Sequence, residues 1–176
     1  MREFFTKRFF RSDLLCTEIE LTLRLDLIQK ASRSLEFIPN IQFTHEEGVI
    51  IYKQKFIEGD NRFTSNSFYE LANNLNTMYR LGLIHADIHK RNIIIDKGHV
   101  YLIDFEPSMV QLKFNKKIVK SKNRSSIDRK NNTVTSLTDV KGYYNVCKYY
   151  LNSETYLSDE KLASMSFLDV YEVLTT

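Results

Sequence analysis

The sequence predicts an α+β fold in two lobes: a reduced amino-terminal lobe built on a few strands and one long helix, and a shortened helical carboxy-terminal lobe. Three observations predict it. Short strand-like runs and one long helix-favouring segment crowd the first 59 of 176 residues. An amphipathic segment comes next at 64–83, with Phe68, Leu71, Ala72, Leu75 and Tyr79 at helical spacing. Two apolar runs, 93–95 and 100–103, then bracket Lys97-Gly98 as a hairpin. The expected division is 1–59 for the first lobe and 60–176 for the second.

Residues 4–10 are aromatic and read as a strand, and Ser12 or Asp13 can cap the segment after it. Over 14–35, Ile19, Leu21, Leu23, Leu25 and Leu27 alternate as a strand would. About 20 residues without a turn signal are too long for a typical strand, so a helix is expected, ended by Pro39. Runs 41–43 and 49–56 form a hairpin across Glu46-Glu47-Gly48. Thr138-Asp139 opens a helix over 140–151, and 158–174 supplies one or two closing helices with Leu162, Met165, Leu168 and Tyr171 as core.

Composition narrows the class. Hydrophobic content of 43% and charged content of 27% are ordinary for a soluble globular chain. A net charge of +3 does not by itself imply nucleic acid. Cys16 and Cys147 lie far apart, without metal or redox spacing, which points to a reducing compartment. No apolar run approaches a bilayer span, and the acid in Met-Arg-Glu-Phe-Phe-Thr-Lys argues against a signal peptide. The expected location is cytoplasmic, with association at the periphery of the inner membrane left open.

The chemistry concentrates in residues 85–106. His85-Ala-Asp87-Ile-His89-Lys90-Arg91-Asn92 is an H-x-D-x-x-x-x-N loop, and Asp104-Phe105-Glu106 comes after the hairpin. Paired strands here would hold Asp87, Asn92 and Asp104 on one rim. One carboxylate could then orient and deprotonate a hydroxyl, while an amide and a second carboxylate hold magnesium. Asp87 and Asn92 could also merely shape a turn. His85 and His89, four apart, would suggest zinc on a helix. They lie between Gly82 and an isoleucine run, where a loop is expected instead.

On these residues the chain resembles the protein-kinase-like superfamily. Asp87 matches its catalytic Asp, Asn92 its metal-binding Asn, and Asp104 the Asp of D-F-G. Ala86 departs from the Arg of H-R-D, and Glu106 from the Gly of D-F-G. His89 resembles the H-G-D-L-H-x-x-N of small-molecule kinases. H-A-D-I-x-x-x-N with L-I-D-F is similar to the Kdo and heptose kinases of lipopolysaccharide and to the RIO type. The resemblance implies a kinase using ATP and Mg2+. Asp87 would be its catalytic base, with His89 near the transferred phosphate. Asn92 and Asp104 would be metal ligands.

Four further expectations come with the resemblance. Lys7 would contact the phosphates, paired with Glu18 or, as runner-up, Glu20. Phe56-Ile57-Glu58-Gly59 would form a hinge whose backbone meets adenine. Asp139 would brace the catalytic-loop backbone, or serve as a helix cap. The segment 107–138 would be activation-like. Within 113–130, eight basic residues face one acid, Asp128, which suits either an acidic acceptor or a solvated loop. Beyond Phe114 this segment lacks aromatics for stacking bases, so nucleic acid is not the expected partner.

One departure is large. Only six residues precede Lys7, and Gly48, Gly59, Gly82, Gly98 and Gly142 are too scattered for G-x-G-x-x-G. A lobe without the glycine-rich loop is therefore expected. Its consequence would be weak ATP affinity, slow turnover or a protein partner that completes or regulates the nucleotide site. The expected acceptor is a hydroxyl, with protein Ser/Thr favoured over a lipopolysaccharide sugar or other small molecule. A pseudokinase that acts as a regulatory binding module is the alternative.

Overall fold

The structure is a computed structural model describing residues 3–14, 16–60, 62–107, 110–112 and 136–176. The basic segment 113–130 lies outside the described residues. So do Ser121, Ser125, Ser126, Thr133 and Thr135, the hydroxyls at which the kinase resemblance would allow self-phosphorylation.

The smaller lobe contains strand β1 (Phe4–Phe10), helix α1 (Glu18–Ser34), and strands β2 (Ile41–Glu46) and β3 (Val49–Lys55). Its sheet has the order β1-β3-β2, antiparallel throughout. Glu46 pairs with Val49 across Glu47 and Gly48, whose positive φ values of 28° and 80° suit a two-residue hairpin turn. Tyr52, fully buried at the centre of the sheet, meets Phe9 edge-on and Phe43 at a tilt.

Helix α1 resolves the alternating leucines. Leu21, Leu25 and Ile28 are buried on one face, while Ile19 and Leu23 are exposed on the other. The alternation is the sum of two helical stripes. Ser12 and Asp13 lie in a short 3-10 turn (Arg11–Asp13), and Thr17 is the cap. Thr17 and Glu20 form a reciprocal capping box, the S/T-x-x-E pattern worth ~1 kcal/mol.

The helical lobe begins with α2 (Ser65–Arg80), capped by Thr64. Phe68, Leu71, Ala72, Leu75 and Met78 form its buried stripe. Strand β4 (Leu83–Ile84) leads into the 85–92 loop and pairs with β7 (Gln111–Leu112). Strands β5 (Ile93–Asp96) and β6 (His99–Leu102) form the expected hairpin, turning at Lys97 and Gly98 with φ of 52° and 84°. Helices α3 (Ser136–Tyr150), α4 (Asp159–Ala163) and α5 (Phe167–Thr175) close the lobe. In the last helix the buried residues are Phe167, Val170 and Leu174. Met165, Leu168 and Tyr171 only flank the core, because the buried stripe is offset by one position from the expected one.

Candidate active site

The 85–92 loop is fixed from below by one acid. Asp139, in the first turn of α3, is 1% exposed. Its Oδ2 accepts from His85 N at 2.8 Å and its Oδ1 from Ala86 N at 2.7 Å. Burial pushes the Asp139 carboxyl up to about 7, against the pull of those two N–H groups. Asp139 thus braces the loop, and it lies inside the helix rather than at its cap.

His85 is fully buried and meets Phe105 edge-on, with ring centroids 4.6 Å apart. Its Nδ1 accepts from Asp87 N at 3.2 Å, which leaves Nε2–H to donate to Ile103 O at 2.9 Å. The ring therefore ties the loop to the strand exit that carries Asp104. Ile103 N adds a bond to Asn92 O at 2.9 Å. Ala86 and Asp104 both have left-handed backbones, with φ of 64° and 66°. Such conformations cost ~1–3 kcal/mol each and persist where the surroundings enforce them.

These constraints bring the three motif side chains toward one cleft. Asn92 Nδ2 donates to Asp87 O at 3.0 Å and to Asp87 Oδ2 at 3.2 Å. With its nitrogen spent there, Asn92 Oδ1 is the atom suited to a cation. His89 Nδ1 accepts from Arg91 N at 3.1 Å, and its Nε2 lies 3.5 Å from Asp87 Oδ2. Asp104 N donates to the Oε1 of buried Gln54 at 3.0 Å.

Lys7 reaches across the cleft from β1. Its Nζ is 2.6 Å from Asp104 Oδ1, 2.7 Å from Oδ2 and 2.6 Å from Glu106 Oε1. Burial alone would favour the neutral amine, but the two carboxylates outweigh it and raise the Lys7 pKa. The Lys7–Glu18 pair is not formed. Glu18, 77% exposed, binds Arg11 Nη1 at 2.9 Å, and Glu20 closes its capping box. The reason is rotational: the inward stripe of α1 is Leu21, Arg24, Leu25 and Ile28, and neither glutamate falls on it.

A cavity of ≈ 210 Å³ lies beside this cluster, lined by Phe56 and Ile57, with Ile94 and Ile103 and with Asn92 and Asp104. Gly59 has φ 63°, consistent with a chain reversal after β3. Glu58, expected to help bind the nucleotide, is exposed and does not line the cavity, whereas its neighbours Phe56 and Ile57 do. A second cavity of ≈ 200 Å³ lies on the α3 side of the loop, between His89, Lys90, Asn145 and Tyr149.

The donor set suits magnesium. Asp104 and Asn92 offer hard oxygens, and Mg2+ typically takes one or two carboxylates and fills its shell with water and phosphate oxygen. Two carboxylates already converge on one ammonium here, so the site attracts positive charge. Among the described residues no group of three or more His, Cys, Asp and Glu forms a self-sufficient metal cage.

Sequence reasoning missed three contributors: Gln54 on the Asp104 backbone, Arg24 beneath the Asp-Phe segment, and Glu106 on Lys7. Arg24 could have been found, since it falls on the Leu21–Leu25–Ile28 stripe. Glu106 was visible as a departure, but its partner lies 99 positions away in sequence.

The comparisons agree with this geometry. Residues 41–119 match the family model of the RIO domain, an atypical protein kinase family. The kinase PK-1 of Cydia pomonella granulovirus is structurally similar, with a TM-score of 0.63 at 13% identity over 96% of this chain and 68% of that one. No curated protein matches the chain. The structural likeness shows a protein-kinase-like fold of reduced size. No helix among the described residues is long and apolar enough to cross a membrane.

Proposed function

We propose that the chain is an ATP- and Mg2+-dependent phosphotransferase that passes the γ-phosphate to a hydroxyl. The observation that carries this reading is the convergence of Asp87, Asn92 and Asp104 beside the cavity at Phe56 and Ile57. At ≈ 210 Å³ the cavity suits a flat base rather than a whole nucleotide. The triphosphate would then extend over Asn92 and Asp104.

In this reading Asp87 orients the acceptor hydroxyl and accepts its proton. Asn92 and Asp104 hold the metal, which supplies charge neutralisation at the phosphates when bound. Lys7 contacts the phosphates, and His89, beside Asp87, faces the transferred group. The hinge backbone at residues 56–58 meets the base. The acceptor is a protein Ser/Thr hydroxyl, with a lipopolysaccharide sugar as the alternative. The cavity between His89 and Tyr149 is the space beside Asp87 where its body would rest. The protein acts in the cytoplasm, where a partner completes or regulates the nucleotide site.

The test is label transfer from γ-labelled ATP to lysate proteins and lipid-linked sugars. Asp87→Ala should lower transfer by ~10²–10⁴-fold. Equal transfer by wild type and variant would remove the mechanism.

One observation favours a second reading, a pseudokinase. Both oxygens of Asp104 are held by Lys7. If that pair never opens, magnesium has no access. A thermal shift with Mg-ATP that exceeds the shift with ATP in EDTA supports the enzyme, and no shift in either supports the binding module.

A further inference from the structure

Three acids lie on α1, and none of them takes Lys7. Glu18 holds Arg11, Glu20 holds the Thr17 backbone at 3.0 Å, and Asp26 is exposed. The charged residue on the buried stripe is a cation instead. Arg24, 4% exposed, donates from Nη1 to Pro107 O at 3.2 Å. The helix therefore grips the Asp-Phe-Glu-Pro segment through an arginine. That segment in turn presents Glu106 to Lys7, with Oε1 and Nζ 2.6 Å apart. The charges are exchanged relative to a kinase whose helix supplies the glutamate.

The second partner of Lys7 matters equally. Asp104 spends both oxygens on the ammonium, yet it is the acid the proposed metal site needs. A divalent cation and an ammonium on the same two oxygens repel each other. When the metal takes Asp104, Glu106, already 2.6 Å from Nζ, is the carboxylate left to hold Lys7 in the cleft.

We propose that Glu106 is the positioning residue for Lys7. It retains the ammonium when a divalent cation occupies Asp104, and so turns an ion pair that blocks the metal into one that admits it. This rests on the phosphotransferase reading. Without Glu106, Lys7 stays on Asp104 and competes with the metal.

The experiment measures binding of ADP to the full chain by calorimetry across a Mg2+ titration. It compares wild type with Glu106→Gln, Glu106→Asp, Glu18→Gln and Lys7→Ala, alone and combined with Glu106→Gln. Glu106→Gln should raise the Mg2+ concentration for half-maximal ADP binding by about tenfold, the effect of one lost charge-assisted contact. Glu106→Asp should recover most of it, and Glu18→Gln should match wild type. In the Lys7→Ala background the Glu106 effect should vanish, since the competitor is gone. A purely structural role would lower the bound fraction without moving the Mg2+ midpoint. An unchanged midpoint in Glu106→Gln, or the same shift from Glu18→Gln, overturns the assignment. Wild type that binds no ADP at any Mg2+ concentration takes down the phosphotransferase reading itself.

Discussion

Asp139 and Ala86 are joined by a 2.7 Å hydrogen bond that helps hold a left-handed alanine at the start of the 85–92 loop. The other oxygen of Asp139 holds His85 N. An amide at this position has one oxygen for two N–H donors and turns its own NH2 against the other. Asp139→Asn should destabilise the protein by about 1–3 kcal/mol, the cost of an unsatisfied buried donor. It should also lower transfer more than nucleotide affinity, because the bonds lost lie next to Asp87 while Phe56, Ile57, Ile94 and Ile103 still line the cavity. Denaturant midpoints together with nucleotide titration check both.

The same residue sets a pH dependence. Its carboxyl is pushed up to about 7 from an ordinary value of 3.8. Between those values the folded chain holds this proton more tightly than the unfolded chain. The contribution to stability is thus full below about pH 4 and is lost as pH rises through 7. Asp139→Asn removes that slope. The difference in denaturant midpoint between wild type and variant, measured from pH 4.5 to 8, should therefore shift toward the variant as pH rises.

Gly142 lets α3 press against the loop. A Cβ placed there would sit 2.6 Å from Ile88 O and 2.8 Å from Ile88 Cβ. Neither is the end of a flexible side chain, so the loop itself would have to move. Gly142→Ala should cost about 1–3 kcal/mol despite the better helix propensity of alanine, worth only ~1 kcal/mol. Transfer should fall with it, because Ile88 adjoins Asp87. Thermal melts and single-turnover transfer measure the two effects.

Gln54 connects the sheet of the smaller lobe to Asp104, the acid proposed to hold the metal. Its buried Oε1 accepts from both Asp104 N and Tyr52 OH. Gln54→Leu leaves both donors without that acceptor and should cost about 2–6 kcal/mol by summing two unsatisfied groups. It should also weaken Mg-nucleotide binding more than Glu18→Gln does, since Glu18 makes a solvent-exposed pair worth ~0–1 kcal/mol. Calorimetric titration of Mg-ADP against both variants compares them.

Local chemistry explains which elements were legible in the sequence. Hairpin turns announced themselves through Lys97-Gly98 and Glu47-Gly48, whose backbones require positive φ. Helix α2 announced itself through one clean apolar stripe, and the 85–92 loop through fixed spacing. Helix α1 was harder, because a second apolar stripe at Ile19 and Leu23 overlaid the buried one and disguised the period. The pairing of Lys7 was not legible. Pattern alone gives the rotation of a helix to no better than a residue, and one residue turns Glu18 away and Arg24 in. Nor was Gln54 legible, since its partner lies 50 positions along the chain and is a backbone N–H that carries no sequence signal.

The central claim is that Asp87, Asn92 and Asp104 surround a metal nucleotide. Its most direct test is a crystal structure of the full chain with Mg2+ and a non-hydrolysable ATP analogue. The account predicts the base against Phe56 and Ile57, the metal on Asn92 Oδ1 and Asp104, and the terminal phosphate facing Asp87, with Lys7 withdrawn from Asp104 onto Glu106. A Lys7–Asp104 pair still closed at saturating Mg2+ and analogue, with the cleft empty, would contradict it.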